Sequence, residues 1–240
     1  MRVFVIGLLT LIVALTGQHL ASPDRADGAS CGSDSIRISG ATAQEAELAC
    51  AGIADAIGFF AARGFATDIA INVSVDEDAV AVDDGGLAFP VLGRFHPDDD
   101  RIIMTSLASQ RAMAQDRPAF RMPFAAAQFR EVVAHETAHA LAERNFSHAD
   151  PSRLVHEYIA YIVQMATMAP TRRAAILGNY ATGPFETVLE INPMVYGIAP
   201  DVFAVKAWLY FVEQPDGAAY LRRIMAEDLP AAAFTFDVMG

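Results

Sequence analysis

His135-Glu136-Thr137-Ala138-His139 constrains this chain more than any other stretch. It is an H-E-x-x-H pattern set in an apolar run from Phe129 to Ala142. On a helix, two histidines four apart differ by about 40° in direction and about 6 Å in height, so both rings can reach one metal ion. Glu136 lies about 100° round from His135, beside such an ion rather than on it, in reach of a water there. Val132, Val133, Ala134, Ala138, Ala140 and Leu141 make nearly every side of the helix apolar, which predicts burial. Two histidines and a glutamate are costly on a buried helix unless bonded or metallated. The stretch therefore supplies two candidate zinc ligands and a candidate general base, Glu136.

A catalytic tetrahedral zinc takes a third protein ligand and leaves one position open. Downstream, Asp150 is read as an N-cap and Pro151 as a first helical residue, followed by a helix over Leu154–Met168. Glu157 falls in this helix and is the favoured third ligand. Val155, Ile159, Ile162, Val163 and Met165 spread around it, so an unpaired carboxylate there would be costly. Ala160 and Tyr161 share its face, and the small Ala160 allows close helix approach. His148 and His156 are the rival ligands, although His156 points about 100° away from Glu157.

The pattern of His135, Glu136, His139, Glu157 and Ala160 resembles the gluzincin zinc metallopeptidases, within which a secreted bacterial branch is the nearest likeness. The resemblance covers about residues 120–170. A metzincin would need Gly at position 142 and His at 145, where this chain has Ala142 and Asn145. The gluzincin resemblance implies that His135, His139 and Glu157 hold one Zn2+ per chain and that Glu136 is the catalytic base. It also implies a zincin-like α+β fold: a small, mainly antiparallel sheet, then the H-E-x-x-H helix and a helical C-terminal part. A strand before the motif helix would border the cleft, with Arg101–Leu107 the candidate edge. Hydrolysis of a peptide bond also needs a donor for the tetrahedral intermediate. Tyr161, Tyr196 and His156 are the leading candidates, with Tyr158 and Tyr180 behind them.

Residues 1–21 read as an export signal, with Arg2 ahead of an apolar stretch over Val3–Leu15. The expected protein is thus periplasmic or secreted, without stable membrane insertion after cleavage. Cys31 and Cys50 then fall in an oxidising compartment and are expected to pair. The whole chain carries a net charge of −12, and Lys206 is its sole lysine. That excludes nucleic acid as an expected partner and disfavours anionic lipid, leaving a peptide or protein substrate.

Residues 22–240 are read as one domain, with a sheet-containing part to about 120 and a helical part from about 121. Residues 22–40 are expected to be irregular and Thr42–Arg63 a helix with Gly64 at its C-cap. Strands are expected at Ile69–Val75, Leu87–Phe95 and Arg101–Leu107, with turns at Asp83–Gly86 and His96–Asp100. Helices follow near Ala199–Val212 and Gly217–Glu227, and residues 179–198 form a loop-rich wall. Two rival functions remain at this stage. One is a secreted binding or structural protein on a zincin fold, and the other a zinc hydrolase of non-peptide amides or esters.

Overall fold

A computed structural model describes residues 28–84, 87–148, 150–227 and 229. The signal read at residues 1–21 and the Gly85-Gly86 centre of the expected turn lie outside these residues. The N-terminal half contains β1 (Ala29–Ser30), β2 (Ile36–Ser39), α1 (Ala43–Ala61) and β3 (Ile71–Asp76). It continues with β4 (Val80–Asp84), β5 (Leu87–Val91), β6 (Gly93–His96), β7 (Arg101–Thr105) and α2 (Leu107–Asp116). The helical half contains α3 (Ala127–Glu143), α4 (Arg153–Thr167) and α5 (Pro170–Gly178). It closes with α6 (Pro193–Ile198), α7 (Pro200–Val212) and α8 (Gly217–Glu227). This is a mixed α+β fold, as expected.

The main sheet runs β1-β2-β3-β7-β6, and β4-β5 form a separate hairpin. Its central pairs, β2–β3 and β3–β7, are parallel, and only the outer pairs are antiparallel. The mainly antiparallel expectation is therefore wrong. Parallel neighbours need a crossover, and α1 supplies the one between β2 and β3. β7 lies inside the sheet, between β3 and β6. The edge assigned to Arg101–Leu107 belongs instead to β6.

The Leu87–Phe95 strand is in fact two. β5 pairs with β4, and β6 pairs with β7. Thr105 joins the two sheets: its hydroxyl donates to the Val91 carbonyl at 2.7 Å and accepts the Val80 N–H at 3.0 Å. Residues 36–39, expected to be irregular, alternate buried Ile36 and Ile38 with exposed Arg37 and Ser39 as β2. Cys31, just after β1, is disulfide-bonded to Cys50 in α1, as expected.

Helix α1 starts at Thr42, which exchanges hydrogen bonds with Glu45 in a reciprocal capping box. The second Glu45 oxygen accepts the Leu107 N–H at 2.8 Å, so one buried carboxylate fixes the starts of α1 and α2. Gly64, at φ +74°, closes α1, with bonds from Gly64 N to Ala61 O and from Phe65 N to Phe60 O. Helix α4 begins two residues later than expected. Ser152, not Asp150, is its N-cap, and its hydroxyl accepts the Val155 N–H.

Helix α3 is the axis of the molecule. From Gln128 to Ala142 every residue except Arg130 is buried. It packs against α1 on one side and α4 on another, with β6 alongside. At Gly52 of α1 an added Cβ would stand 2.5 Å from the Arg130 carbonyl oxygen, so only glycine permits the α1–α3 approach. Arg130 adds a two-pronged bond to Asp55, at 2.6 and 2.7 Å. Helix α7 covers the far face of α4, where Phe203 and Ala207 are fully buried.

A candidate metal centre between two helices

The α3–α4 packing brings His135, His139 and Glu157 together, with one ligand atom from each lying within 4.8 Å of the others. His135 Nε2 is 3.5 Å from Glu157 Oε2, and the two imidazole centroids are 4.9 Å apart. Among the described residues this is the group able to hold a metal ion. It contains neither rival ligand. His156 turns to Glu143, 3.3 Å away, and His148 meets the Phe146 ring edge-on. Ala160 is fully buried, as close helix packing requires.

Gln164, two turns beyond Glu157 on α4, accepts a hydrogen bond from His135 Nδ1 at 3.1 Å. That bond fixes the ring and leaves Nε2 facing His139 and Glu157. The residue went unnoticed in the sequence, although its i+7 spacing from Glu157 places it on the same helix face. The Tyr161 ring meets His135 edge-on, with centroids 4.7 Å apart.

Glu136 is buried on the side of α3 that meets β6. Its carboxyl group accepts the backbone N–H of Phe95. The close approach depends on Gly93: an added Cβ would lie 2.8 Å from Met104 Sδ and 3.1 Å from Glu136 Cγ. Gly93 is a second residue that sequence reading missed, since a lone glycine in a strand has several explanations.

The charges of the site are strongly displaced from their ordinary values. Burial drives Glu136 up to about 7, against the pull of His135. Burial also holds His139 neutral, down to about 3. For Glu157 burial pushes upward, but the bond from His135 and the proximity of the two imidazoles bring it down to about 2. Burial would lower His135, but its bond to Glu157 and the nearby Glu136 raise it. One carboxylate is thus held ionised among the ligands, while its neighbour on α3 favours the protonated form near neutrality.

These groups line a cavity of about 650 Å³ between β6, α3 and α4. All three leading donor candidates, Tyr161, Tyr196 and His156, line it as well. Tyr196 comes from α6, within the expected loop-rich wall, and its hydroxyl bonds Glu157. Tyr158 instead bonds Tyr220 at 2.9 Å, and Tyr180 bonds Asp201 at 3.1 Å. Ala119 and Phe120 close one side of the cavity. Phe120 and Arg121 both have positive φ, near 55°. This uncommon backbone is held by Asp201, which accepts the Phe120 N–H, and by Asn179, which bonds the Phe120 carbonyl.

Residues 36–233 match the model of a family of unknown function, DUF6639. The match spans most of the chain, which belongs to this family. No curated protein and no solved structure matches it.

Proposed function

We propose that this member of the DUF6639 family is an exported, zinc-dependent hydrolase of peptide bonds. The observation that carries the reading is the pairing of a three-ligand cluster with an adjacent carboxyl group, Glu136, that is not needed as a ligand. A structural zinc site usually has four protein ligands and needs no base. The donor set suits zinc, with two imidazoles and one carboxylate. Ligands on a tetrahedral zinc at about 2.1 Å stand roughly 3.4 Å apart, close to the 3.5 Å between His135 Nε2 and Glu157 Oε2. The Gln164 bond to His135 is the outer support that metal-binding histidines characteristically have. The Cys31–Cys50 disulfide supports an oxidising compartment. No helix among the described residues is long and apolar enough to cross a membrane.

In this mechanism His135, His139 and Glu157 would hold the zinc, and the bound ion would supply the charge that acidifies water and polarises the scissile carbonyl. Glu136 takes the proton of the attacking water and passes it to the leaving amine. β6, the edge strand of the sheet among the described residues, runs along the cavity and offers its remaining backbone groups to an extended peptide. Tyr161, whose ring meets His135, and Tyr196, whose hydroxyl bonds Glu157, are the donor candidates beside the ligand cluster.

Metal analysis and a peptide-library screen on wild type, Glu157→Ala and Glu136→Gln test the reading together. Wild type should carry about one zinc and cleave peptides. Glu157→Ala should lose the zinc, and Glu136→Gln should keep it while losing hydrolysis. Full cleavage by Glu136→Gln would remove it from the base role, and a wild type that binds no zinc would end the reading.

A further inference from the structure

Two oxygen acceptors in the cavity wall lack a matching donor among the described residues. Gln128, two turns before His135 on α3, lines the cavity and is only 2 % exposed. Its Oε1 has no hydrogen-bond partner. An acceptor left unpaired inside a protein is costly, and a ligand donor that reaches it recovers that cost. The terminal torsion of a glutamine is soft, so the amide can turn to meet one.

Asp201, in the first turn of α7, holds the second acceptor and also lines the cavity. It accepts the Phe120 N–H and the Tyr180 hydroxyl, and both bonds fall on Oδ2. Oδ1 has no hydrogen-bond or ion-pair partner among the described residues. Burial is the main influence on this carboxyl group and pushes it upward, so the donors around it do not fully compensate the charge. Arg121 pulls it the other way, but that guanidinium bonds the Asn179 carbonyl at 3.1 Å and lies over the Tyr180 ring, 4.5 Å from its centre. Both acceptors border the segment that leads into α3. Gln128 is in the first turn of that helix, and Asp201 is bonded to Phe120 just before it.

The wider lining is acidic, as the chain is. Four carboxylates, Glu136, Glu143, Glu157 and Asp201, stand against two guanidinium groups, Arg94 and Arg153. Glu136 and Glu157 belong to the ligand cluster and its base, and Glu143 pairs with His156. Asp201 is the carboxylate engaged by neither.

We propose that this end of the cavity selects a cationic group of the substrate, an ammonium or guanidinium, with Asp201 as the specificity-determining residue and Gln128 as a second acceptor. The cation is either a basic side chain or the free N-terminus of the substrate. The inference rests on the hydrolase reading for the identity of the bond cut, but the binding preference stands on the cavity alone.

The test uses zinc-loaded Glu136→Gln protein, so that binding is measured without cleavage. Titrations are repeated on metal-free protein, since neither acceptor is a ligand. The probes are acetylated, amidated hexapeptides that differ in a single Lys or norleucine, scanned across positions. A third set has the norleucine sequences with a free N-terminal amine. Calorimetry should show one register in which a cation strengthens binding about tenfold, the worth of a modest charged hydrogen bond. Gain from the Lys set assigns a side chain, and gain from the third set alone assigns the N-terminus. Asp201→Asn keeps an acceptor for the Phe120 N–H and the Tyr180 hydroxyl while removing the charge. It should erase the preference and leave the norleucine peptides binding as before. Gln128→Leu should cut the preference about threefold, and added salt should shrink it. Equal binding of all three sets, or binding of none, overturns the proposal. So does a preference that survives Asp201→Asn, or an equal weakening of every set by that variant, which would make Asp201 a structural anchor only. If wild type cleaves none of the peptides while the preference persists, the peptidase reading falls and the cation site stands. Cleavage without any preference leaves the peptidase and removes the site.

Discussion

Gln164 decides what His135 can do. With Nδ1 bonded to the amide, the other ring nitrogen is turned toward Glu157, 3.5 Å away. Gln164→Leu keeps the bulk and removes the acceptor, so zinc affinity should fall roughly 10–100-fold without loss of the fold. A chelator-competition titration measures this, and unchanged affinity would reduce Gln164 to packing. Glu136 supplies a second test, in pH. Its carboxyl favours the protonated form in the folded, metal-free protein up to about 7, against an ordinary value of 4.5. The folded state therefore binds more protons than the unfolded state between those values, and stability contributed by this group is lost as pH rises through that window. Glu136→Gln cannot ionise but can still accept the Phe95 N–H. In metal-free protein it should be more stable than wild type, by a margin that grows from about pH 5 to about pH 8. Denaturant melts at the two pH values check this, and a constant margin would mean that Glu136 ionises freely.

Two glycines of α1 separate packing from propensity at the scale of the element. Gly52 faces the Arg130 carbonyl, whereas an added Cβ at Gly58 would meet nothing within 4 Å. Gly52→Ala should destabilise by about 1–3 kcal/mol through overpacking against α3. Gly58→Ala should stabilise by up to about 1 kcal/mol, because only the helix preference remains. Thermal melts of the two variants should shift in opposite directions, and matching shifts would refute the packing argument. The same helix shows what was legible in the sequence. Its capping residue Thr42, its apolar face and its terminal Gly64 are local signals, and they gave both ends nearly to the residue. The two site histidines were legible for the same reason, since helical spacing puts both on one face, whereas the place of Glu157 beside them came from its apolar neighbours and the gluzincin resemblance. Sheet order was not legible. Whether Arg101–Thr105 is an edge or a centre depends on where Gly93–His96 pairs, a contact that no local period encodes. Gly93 and Gln164 escaped on the same ground: each matters through a residue on another element. The late start of α4 was a choice between adjacent caps, and the Ser152 hydroxyl took the Val155 N–H where Asp150-Pro151 had looked better.

For the whole molecule, the ligand cluster bridges the two helices around which everything else is arranged. Helix α3 carries His135 and His139 and packs on α1, while α4 carries Glu157 and packs on α7. A metal held by both helices binds the folded chain and not the unfolded one, so it adds to stability by mass action. At free zinc about 1,000 times the dissociation constant, the gain is roughly 4 kcal/mol. In a chain of this size, each kcal/mol moves the melting temperature by about 2–4 °C. A strong chelator should therefore lower the wild-type Tm by roughly 10 °C, and restored zinc should return it. Glu157→Ala should melt near the chelated wild type and respond little to either treatment, since it has lost the α4 half of the bridge. Differential scanning calorimetry of the two proteins, with and without chelator, is the measurement. A wild type indifferent to chelation would mean that packing alone holds α3 and α4 together. An equal chelator effect in Glu157→Ala would place the metal on residues other than this bridge.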